Sequence, residues 1–241
     1  MYKNKKIVAI IPARKGSKGI KNKNLLKLTG IPLIKFSVDY AKRSKLVDKV
    51  FVSTDGNNIS KVSENCGAET IKRPKKFSSD TASSESAIIH SINYIEKLLK
   101  YKFDIVIFLQ PTTVLRKLGE LDQAIKMFIK KKSDTLFTSV DLQPFLWGRN
   151  KKKLRSINFN FKKNRIRRQN NHTITETGSY YIVKKEVFLK YNNRFGKKIV
   201  NFESDFHSLF EIDTISDFKY ITELLKTNIP KKYKLCIPKK N

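Results

Sequence analysis

Short β-branched apolar runs alternate with longer amphipathic stretches through the first 140 residues, and this rhythm constrains the fold more than any other feature. Lys6–Pro12, Lys49–Ser53, Ala68–Lys72, Asp104–Leu109 and Thr135–Val140 read as strands. Pro32–Ser44, Asn57–Asn65, Ser84–Leu99 and Leu118–Lys131 read as helices, the last with Leu118, Leu121, Ile125 and Phe128 at helical spacing. Strands that alternate with helices pair in parallel, and the crossover helices cover both faces of the sheet. The expected class is therefore α/β, a three-layer, doubly wound, mostly parallel sheet. Ligands bind such sheets at the carboxyl ends of the strands. The loops after Ile11, Ser53, Lys72 and Leu109 are the ones to inspect.

After Asp141 the rhythm loosens into polar, basic, aromatic-bearing sequence up to Thr177. Residues 141–177 are expected to form an excursion, either an arm or hairpin used for dimer contacts or a disordered insertion. The pattern resumes with a strand at Ser179–Val183, a helix near Lys185–Lys190, a short strand near Leu209–Ile212 and a last helix over Ile215–Leu225. A single domain over 1–227 with a frayed basic tail at 228–241 follows from this reading. At 241 residues with 39% hydrophobic content, the chain can bury one sizeable core.

The formal charge of +30 raises the possibility of a nucleic-acid partner. Its distribution argues against one, because lysines are spread over nearly every helix and loop and aromatics sit within apolar runs. Cys66 and Cys236 form neither a zinc spacing nor a disulfide framework. No segment has the length of a membrane span or of a signal-peptide core, so a cytoplasmic protein is expected.

The first strand runs directly into a glycine-punctuated loop carrying Arg14, Lys15, Lys18, Lys21 and Lys23. Gly16 and Gly19 permit positive φ and close approach of backbone to ligand, and the cations supply donors to phosphate oxygens. A polyphosphate ligand is expected, although neither common phosphate-loop motif is present and a solvated basic turn is the alternative. Asp80-Thr81-Ala82-Ser83-Ser84 reads as a helix N-cap, and Ser53-Thr54-Asp55-Gly56 as a strand-to-helix turn with Asp55 or Asn57 near the cap. Gln110 should emerge at the carboxyl edge of the most apolar strand. If 209–213 is extended, Glu211 and Asp213 project from one face about 6.6 Å apart, suited to sharing a divalent ion. Alternatively, Asp213 caps the final helix. His90, His172 and His207 have no metal spacing.

Six of these segments stand in an order that resembles the acylneuraminate cytidylyltransferase family. They are Ala13-Arg14-x-x-Ser17-Lys18-Gly19 with Lys23-Asn24, Val52-Ser53-Thr54-Asp55-Gly56, Arg73-Pro74, Asp80-Thr81-Ala82-Ser83-Ser84, Leu109-Gln110-Pro111-Thr112 with Leu115-Arg116, and Glu211-Ile212-Asp213. The resemblance implies a nucleotide-diphospho-sugar transferase-like fold whose excursion serves dimerisation. It also implies an enzyme that joins CTP to a nine-carbon α-keto sugar acid with Mg²⁺ and releases pyrophosphate.

Arg14, Ser17, Lys18, Lys23 and Asn24 would surround the triphosphate, and Arg73, Ala82 and Ser84 would read cytosine. Gln110, Arg168 and Tyr180 or Tyr181 would meet the sugar acid. Glu211 and Asp213 would hold the metal, with Glu211 standing where relatives usually carry aspartate. Lys23, Arg14 and Asp213 carry the chemistry in this picture: in-line attack on the α-phosphorus, charge neutralisation, and positioning of the ion. The rivals are an eight-carbon-acid cytidylyltransferase of the CMP-Kdo synthetase type and, from another class, a basic nucleic-acid-binding protein.

Overall fold

The computed structural model describes residues 1–17, 19–150 and 153–239. Strand β1 (Ile7–Pro12) leads into the basic loop, followed by a two-residue ladder of β2 (Lys27–Leu28) with β3 (Ile31–Pro32) and then α1 (Leu33–Lys42). Next come β4 (Lys49–Thr54), α2 (Asn57–Asn65), β5 (Glu69–Lys72), α3 (Ser84–Lys97), β6 (Ile105–Leu109), α4 (Glu120–Lys130) and β7 (Thr135–Leu142). A hairpin of β8 (Trp147–Asn150) and β9 (Lys153–Ser156) precedes the long β10 (Thr173–Lys184). The chain closes with α5 (Lys185–Tyr191), β11 (Ile199–Glu203), α6 (Ile215–Lys226) and the short α7 (Ile229–Lys232).

The central sheet has seven strands in the order β11-β7-β10-β6-β1-β4-β5. β10 alone runs antiparallel, against both β6 and β7, and every other pairing in the sheet is parallel. Alternation along β1 explains the layers. Ile7 and its same-face neighbours Ala9 and Ile11 join one buried cluster with Ile34 and Val38 of α1 and Leu121 and Ile125 of α4. Val8 and Ile10 join the opposite cluster with Ile88 and Ile92 of α3 and Phe188 of α5. Because both faces are covered, the central strands read as continuous apolar runs, as the sequence of β1 and β6 does. A third cluster, holding Leu28, Leu33, Phe36, Leu115, Ile212, Ile221 and Leu235, lies under α6 and the carboxyl-terminal segment.

Two expectations are corrected, one open alternative is resolved and one strand goes unforeseen. The excursion takes its hairpin form: β8 pairs with β9, and the first residues of β10 continue the ladder with the end of β7. β11 was hidden by its mixed composition, since a half-buried edge strand carries a weaker apolar signal than a central one. The expected strand at Leu209–Ile212 is a 3-10 turn over Phe206–Leu209 followed by one bridge between Glu211 and Thr113. The described part of the segment after Thr227, residues 228–239, is packed instead of frayed. Leu235 and Cys236 are buried, and the Cys236 N–H donates to the Arg116 carbonyl. Burial pushes the Cys236 thiol up to about 12. Among the described residues no helix is long and apolar enough to cross a membrane.

Leu235 is 5% exposed within the third cluster. Leu235→Ala should lower unfolding free energy by about 2–4 kcal/mol in urea titrations, the range for emptying a packed leucine site. A change below about 0.5 kcal/mol would return this segment to the status of a loose tail.

Candidate functional site

Parallel strands β1, β4, β5 and β6 all deliver their carboxyl ends to one edge, and the basic loop folds across it. The loop does not use its glycines as expected. Neither Gly16 nor Gly19 has positive φ, and the left-handed residue is Asn22 at φ 55°. Gly19 serves close approach: a Cβ there would collide with the Asp213 carbonyl oxygen. The loop is thus laid directly against the carboxyl-terminal acid segment. The Lys23 ammonium sits 2.7 Å from Asp213 Oδ1, across 190 residues of sequence. Asn24 is buried beneath the loop, its Nδ2 donating to the Arg14 carbonyl at 2.9 Å, so it holds the loop's shape. The Lys15 N–H donates to Asp55 Oδ1 at 2.7 Å, which occupies Asp55 and leaves α2 with Gly56 as an N-cap lacking a side-chain bond. Ser17 is half-buried on the loop. Lys18 lies outside the described residues.

Beside this loop is a cavity of about 230 Å³ lined by Arg14, Arg73, Ala82, Ser84, Gln110 and Phe108, among others. Arg14 Nη1 donates to Asp80 Oδ1 at 2.9 Å and to the Ser79 carbonyl at 3.0 Å, joining the first loop to the segment that precedes α3. Ser83, not Asp80, is the helix cap: its side chain accepts from the Ser86 N–H at 3.1 Å. Ser84 and Ala82 are left facing the cavity. Arg73 is 6% exposed, with Nε on Ser53 Oγ at 3.1 Å and Nη2 on the Ser53 carbonyl. Burial, with Arg14 adding repulsion and Asp55 opposing both, pulls the Arg73 guanidinium down to about 10. It remains a cation at neutral pH, fixed at the wall of the cavity. A larger hollow of about 510 Å³ opens at the opposite edge, around Phe103, Phe128, Lys132 and Lys184, remote from these residues.

Gln110 is anchored through its backbone. Its N–H donates to the Ser179 carbonyl at 3.2 Å, and its own carbonyl accepts from Arg116 Nη2 at 2.6 Å. Arg116, absent from the candidate site residues read in the sequence, is 1% exposed. Its guanidinium also reaches Ser179 Oγ at 2.9 Å, the Ser179 carbonyl at 2.9 Å and Ser37 Oγ at 3.1 Å, and it stacks on Tyr40 at 5.3 Å. Burial pushes it down to about 10. Gly178, at φ 67°, lies next to this knot. A Cβ there would collide with Glu211 Oε1 and come within 2.8 Å of Gln110 Nε2. Glu211 and Gln110 therefore meet over a single glycine.

Glu211 is bridged to Thr113, whose hydroxyl lies 3.4 Å from Oε1. Burial and the nearby Asp213 charge raise the Glu211 carboxyl, while Thr113, Arg116 and Lys23 oppose the shift. The helix-capping alternative for Asp213 fails: Thr214 caps α6, with a capping box completed by Asp217. Asp213 is free of that task and exposed except for Lys23. Among the described residues no three His, Cys, Asp or Glu side chains gather at one point. Glu211 and Asp213 nonetheless offer the donor chemistry of a hard divalent cation, which takes one or two carboxylates and completes its shell with water and ligand oxygens.

The loop bearing these acids is tied behind the site. Glu120, the first residue of α4, is 7% exposed and accepts the Asp205 N–H at 3.0 Å, and Asp205 Oδ1 pairs with His207 Nδ1 at 2.6 Å. Burial raises the Glu120 carboxyl to about 7; the Asp205 N–H bond and Lys117 oppose the shift, and the Asp205 charge adds to it.

Three sugar candidates lie elsewhere. Tyr180 is 1% exposed and packs against Tyr40 in the α1–α4 core, with ring centroids 6.1 Å apart. Tyr181, 2% exposed, points to the other face, stacks on Phe108 at 5.4 Å and bonds Glu176. Both are core residues, because a strand covered on both faces buries alternate side chains in both directions. Tyr181 reaches the cavity only through Phe108. Arg168 is exposed on the excursion, its Nε donating to the Gln143 carbonyl at 3.2 Å, and does not line the cavity.

Comparison with known proteins identifies the family and the fold. A cytidylyltransferase family model matches residues 8–235. Post-translational flagellin modification protein B of Campylobacter coli is 31% identical over 226 residues, covering 91% of this chain and 95% of that protein. N-acylneuraminate cytidylyltransferase of Escherichia coli O18:K1:H7 is 29% identical over 222 residues, covering 89% of this chain but 51% of its own length. The chain thus spans about half of that relative. Among solved structures, CMP:2-keto-3-deoxy-manno-octonic acid synthetase complexed with CTP superposes with TM-score 0.68 at 16% identity, covering 92% of this chain and 98% of the other. A 4-diphosphocytidyl-2C-methyl-D-erythritol synthase from Anaerococcus prevotii gives 0.67 at 13% identity, covering 92% and 99%. At these identities the structural likeness establishes the fold.

Glu120 supplies a pH test of the tie behind the acids. An acid whose folded-state affinity for its proton exceeds its unfolded affinity stabilises the fold fully below its ordinary range, and that stability is lost as pH rises through about 7. Between about pH 4.5 and 7 the parent should therefore lose up to about 3 kcal/mol relative to Glu120→Gln. Parallel urea-unfolding curves for the two proteins across this window would refute the assignment.

Proposed function

Because the chain belongs to the cytidylyltransferase family, we propose that it transfers CMP from CTP to the anomeric hydroxyl of a nine-carbon α-keto sugar acid, releasing pyrophosphate. The observation that carries the reading is the Lys23–Asp213 contact, which sets a cation from the first loop and an acid from the end of the fold at one point. Relatives named N-acylneuraminate cytidylyltransferase support the nine-carbon acid. Sialic, legionaminic and pseudaminic acids are the candidate acceptors of this class.

In this reading Arg73 and the 82–84 segment hold the cytosine in the 230 Å³ cavity. Arg14 and Lys23 take the phosphates, the first through a planar fork and the second as a point charge able to meet negative charge growing at the α-phosphorus. The acceptor hydroxyl attacks the α-phosphorus in line, its oxygen forming the new P–O bond as the bond to pyrophosphate breaks and its proton passes to solvent. Gln110, fixed from behind by Arg116, orients the acid. Glu211 and Asp213 would hold Mg²⁺, which when bound supplies charge neutralisation to the phosphates.

A homodimer is part of the proposal. The β8–β9 arm exposes Leu154 at 60%, Ile157 at 58% and Phe161 at 54%, an apolar surface suited to a second copy. Arg168, carried on the same excursion, remains the proposed partner of the acid's carboxylate. The eight-carbon rival keeps the fold of its solved counterpart but lacks the sequence support of the acylneuraminate relatives.

Pyrophosphate release measured with CTP, Mg²⁺ and a panel of nine- and eight-carbon α-keto acids should favour a nine-carbon acid, with UTP and ATP poor substitutes. Lys23→Ala and Asp213→Ala should each reduce kcat/KM by about 10²-fold or more, the scale for losing one electrostatic contact to the transition state. Near-normal turnover in either variant removes that residue from the chemistry, and no release with any acid removes the reading. Leu154→Asp should convert a dimer to monomer in sedimentation velocity, and an unchanged sedimentation coefficient would move the interface elsewhere.

A further inference from the structure

Arg14 is a half-buried cation of the cavity wall, and a carboxylate of the same chain already neutralises it. Nη1 lies 2.9 Å from Asp80 Oδ1 and 3.0 Å from the Ser79 carbonyl, with the Ser78 carbonyl at 3.4 Å. The Asp80 side chain is 62% exposed and that of Arg14 28%. Ser83 caps α3, so the Asp80 charge is not needed to start that helix. The segment from Ser79 to Ser84 lines the cavity with Arg14. The Asp80 carboxylate and any ligand phosphate brought to Arg14 would therefore share one guanidinium. Two anions on one cation repel each other, and the internal one opposes the ligand.

We propose that Asp80 sets the nucleotide affinity of the cleft by competing with ligand phosphate for the charge of Arg14. This rests on the reading of the cleft as a cytidine nucleotide site. An internal competitor lowers apparent affinity in proportion to how fully it engages the cation. The Ser79 and Ser78 carbonyls also accept from Nη1, so removing the charge of the acid alone leaves that nitrogen with neutral partners. Asp80→Asn does this: the amide oxygen can still accept from Nη1, and the site is open enough to spare the fold.

The test is calorimetric binding of CTP and of cytidine at low ionic strength without divalent cations, comparing the parent, Asp80→Asn and Glu223→Gln. The last variant changes net charge by the same single unit at a distant exposed pair with Lys226, 2.6 Å from it, and controls for the general field of a basic protein. Asp80→Asn should bind CTP roughly two- to fivefold tighter than the parent, the scale of an exposed ion pair, and the gain should shrink as salt rises. Cytidine, which has no phosphate, should bind both proteins equally. Weaker binding of both ligands by Asp80→Asn would make Asp80 a base contact and overturn the proposal. Equal tightening by Glu223→Gln, no change in CTP affinity, or tightening of cytidine as well would also overturn it. If the parent itself binds neither ligand, the cytidine-site reading fails first and takes the proposal with it.

Discussion

A guanidinium buried among neutral oxygens holds the floor of this cleft together. Among the described residues no carboxylate forms an ion pair with Arg116; four hydrogen bonds to Ser37, Gln110 and Ser179, and the face of Tyr40, share its charge. An isolated buried cation is costly, and the rigid donor fork of arginine is what makes this arrangement tenable, because it delivers several bonds from one planar group. Its partners belong to α1, the end of β6 and the inserted β10. Those elements supply Gln110, the Gly178 turn and the wall against which Glu211 lies. The placement of the cleft's polar groups depends on that single planar charge.

Surface charge and cleft charge follow different logic here. Most of the +30 excess is distributed over solvated lysines, while the cations of the cleft are each committed to a specific oxygen: Arg14 to Asp80, Lys23 to Asp213, Arg73 to Ser53. Such pairing keeps neighbouring cations from repelling one another while retaining groups that exchange partners readily. Arg73, like Arg116, sits on neutral oxygens, and burial depresses the proton affinity of both.

How much of this was legible in the sequence depended on burial. β1 and β6 are covered on both faces and announce themselves as continuous apolar runs, so the layered sheet and its carboxyl edge could be located. β11 and the β8–β9 hairpin have half-buried or exposed residues and no such signal. Leu235 and Cys236 are too few to reveal packing amid lysines. Of the candidate residues, Arg14, Arg73, Ala82, Ser84 and Gln110 gather around one cavity, and Lys23 meets Asp213. Tyr180 and Tyr181 were misplaced because adjacent aromatics on a strand resemble a wall as readily as a core. Arg116 stood in the sequence only as part of the Leu115-Arg116 pair of the family-like segments, followed by Lys117, and nothing local distinguishes a buried arginine from a solvated one.

The reversed strand β10 runs for twelve residues, pairing with the protruding end of β7 before it enters the sheet beside β6. Its register shifts between Glu176 and Tyr181, on the stretch that carries Gly178. A hydrogen-bonded ribbon resists stretching along its length far better than it resists twisting. The peripheral arm and the floor of the cleft are consequently joined through one hydrogen-bonded strand, with Gly178 at the register shift between them.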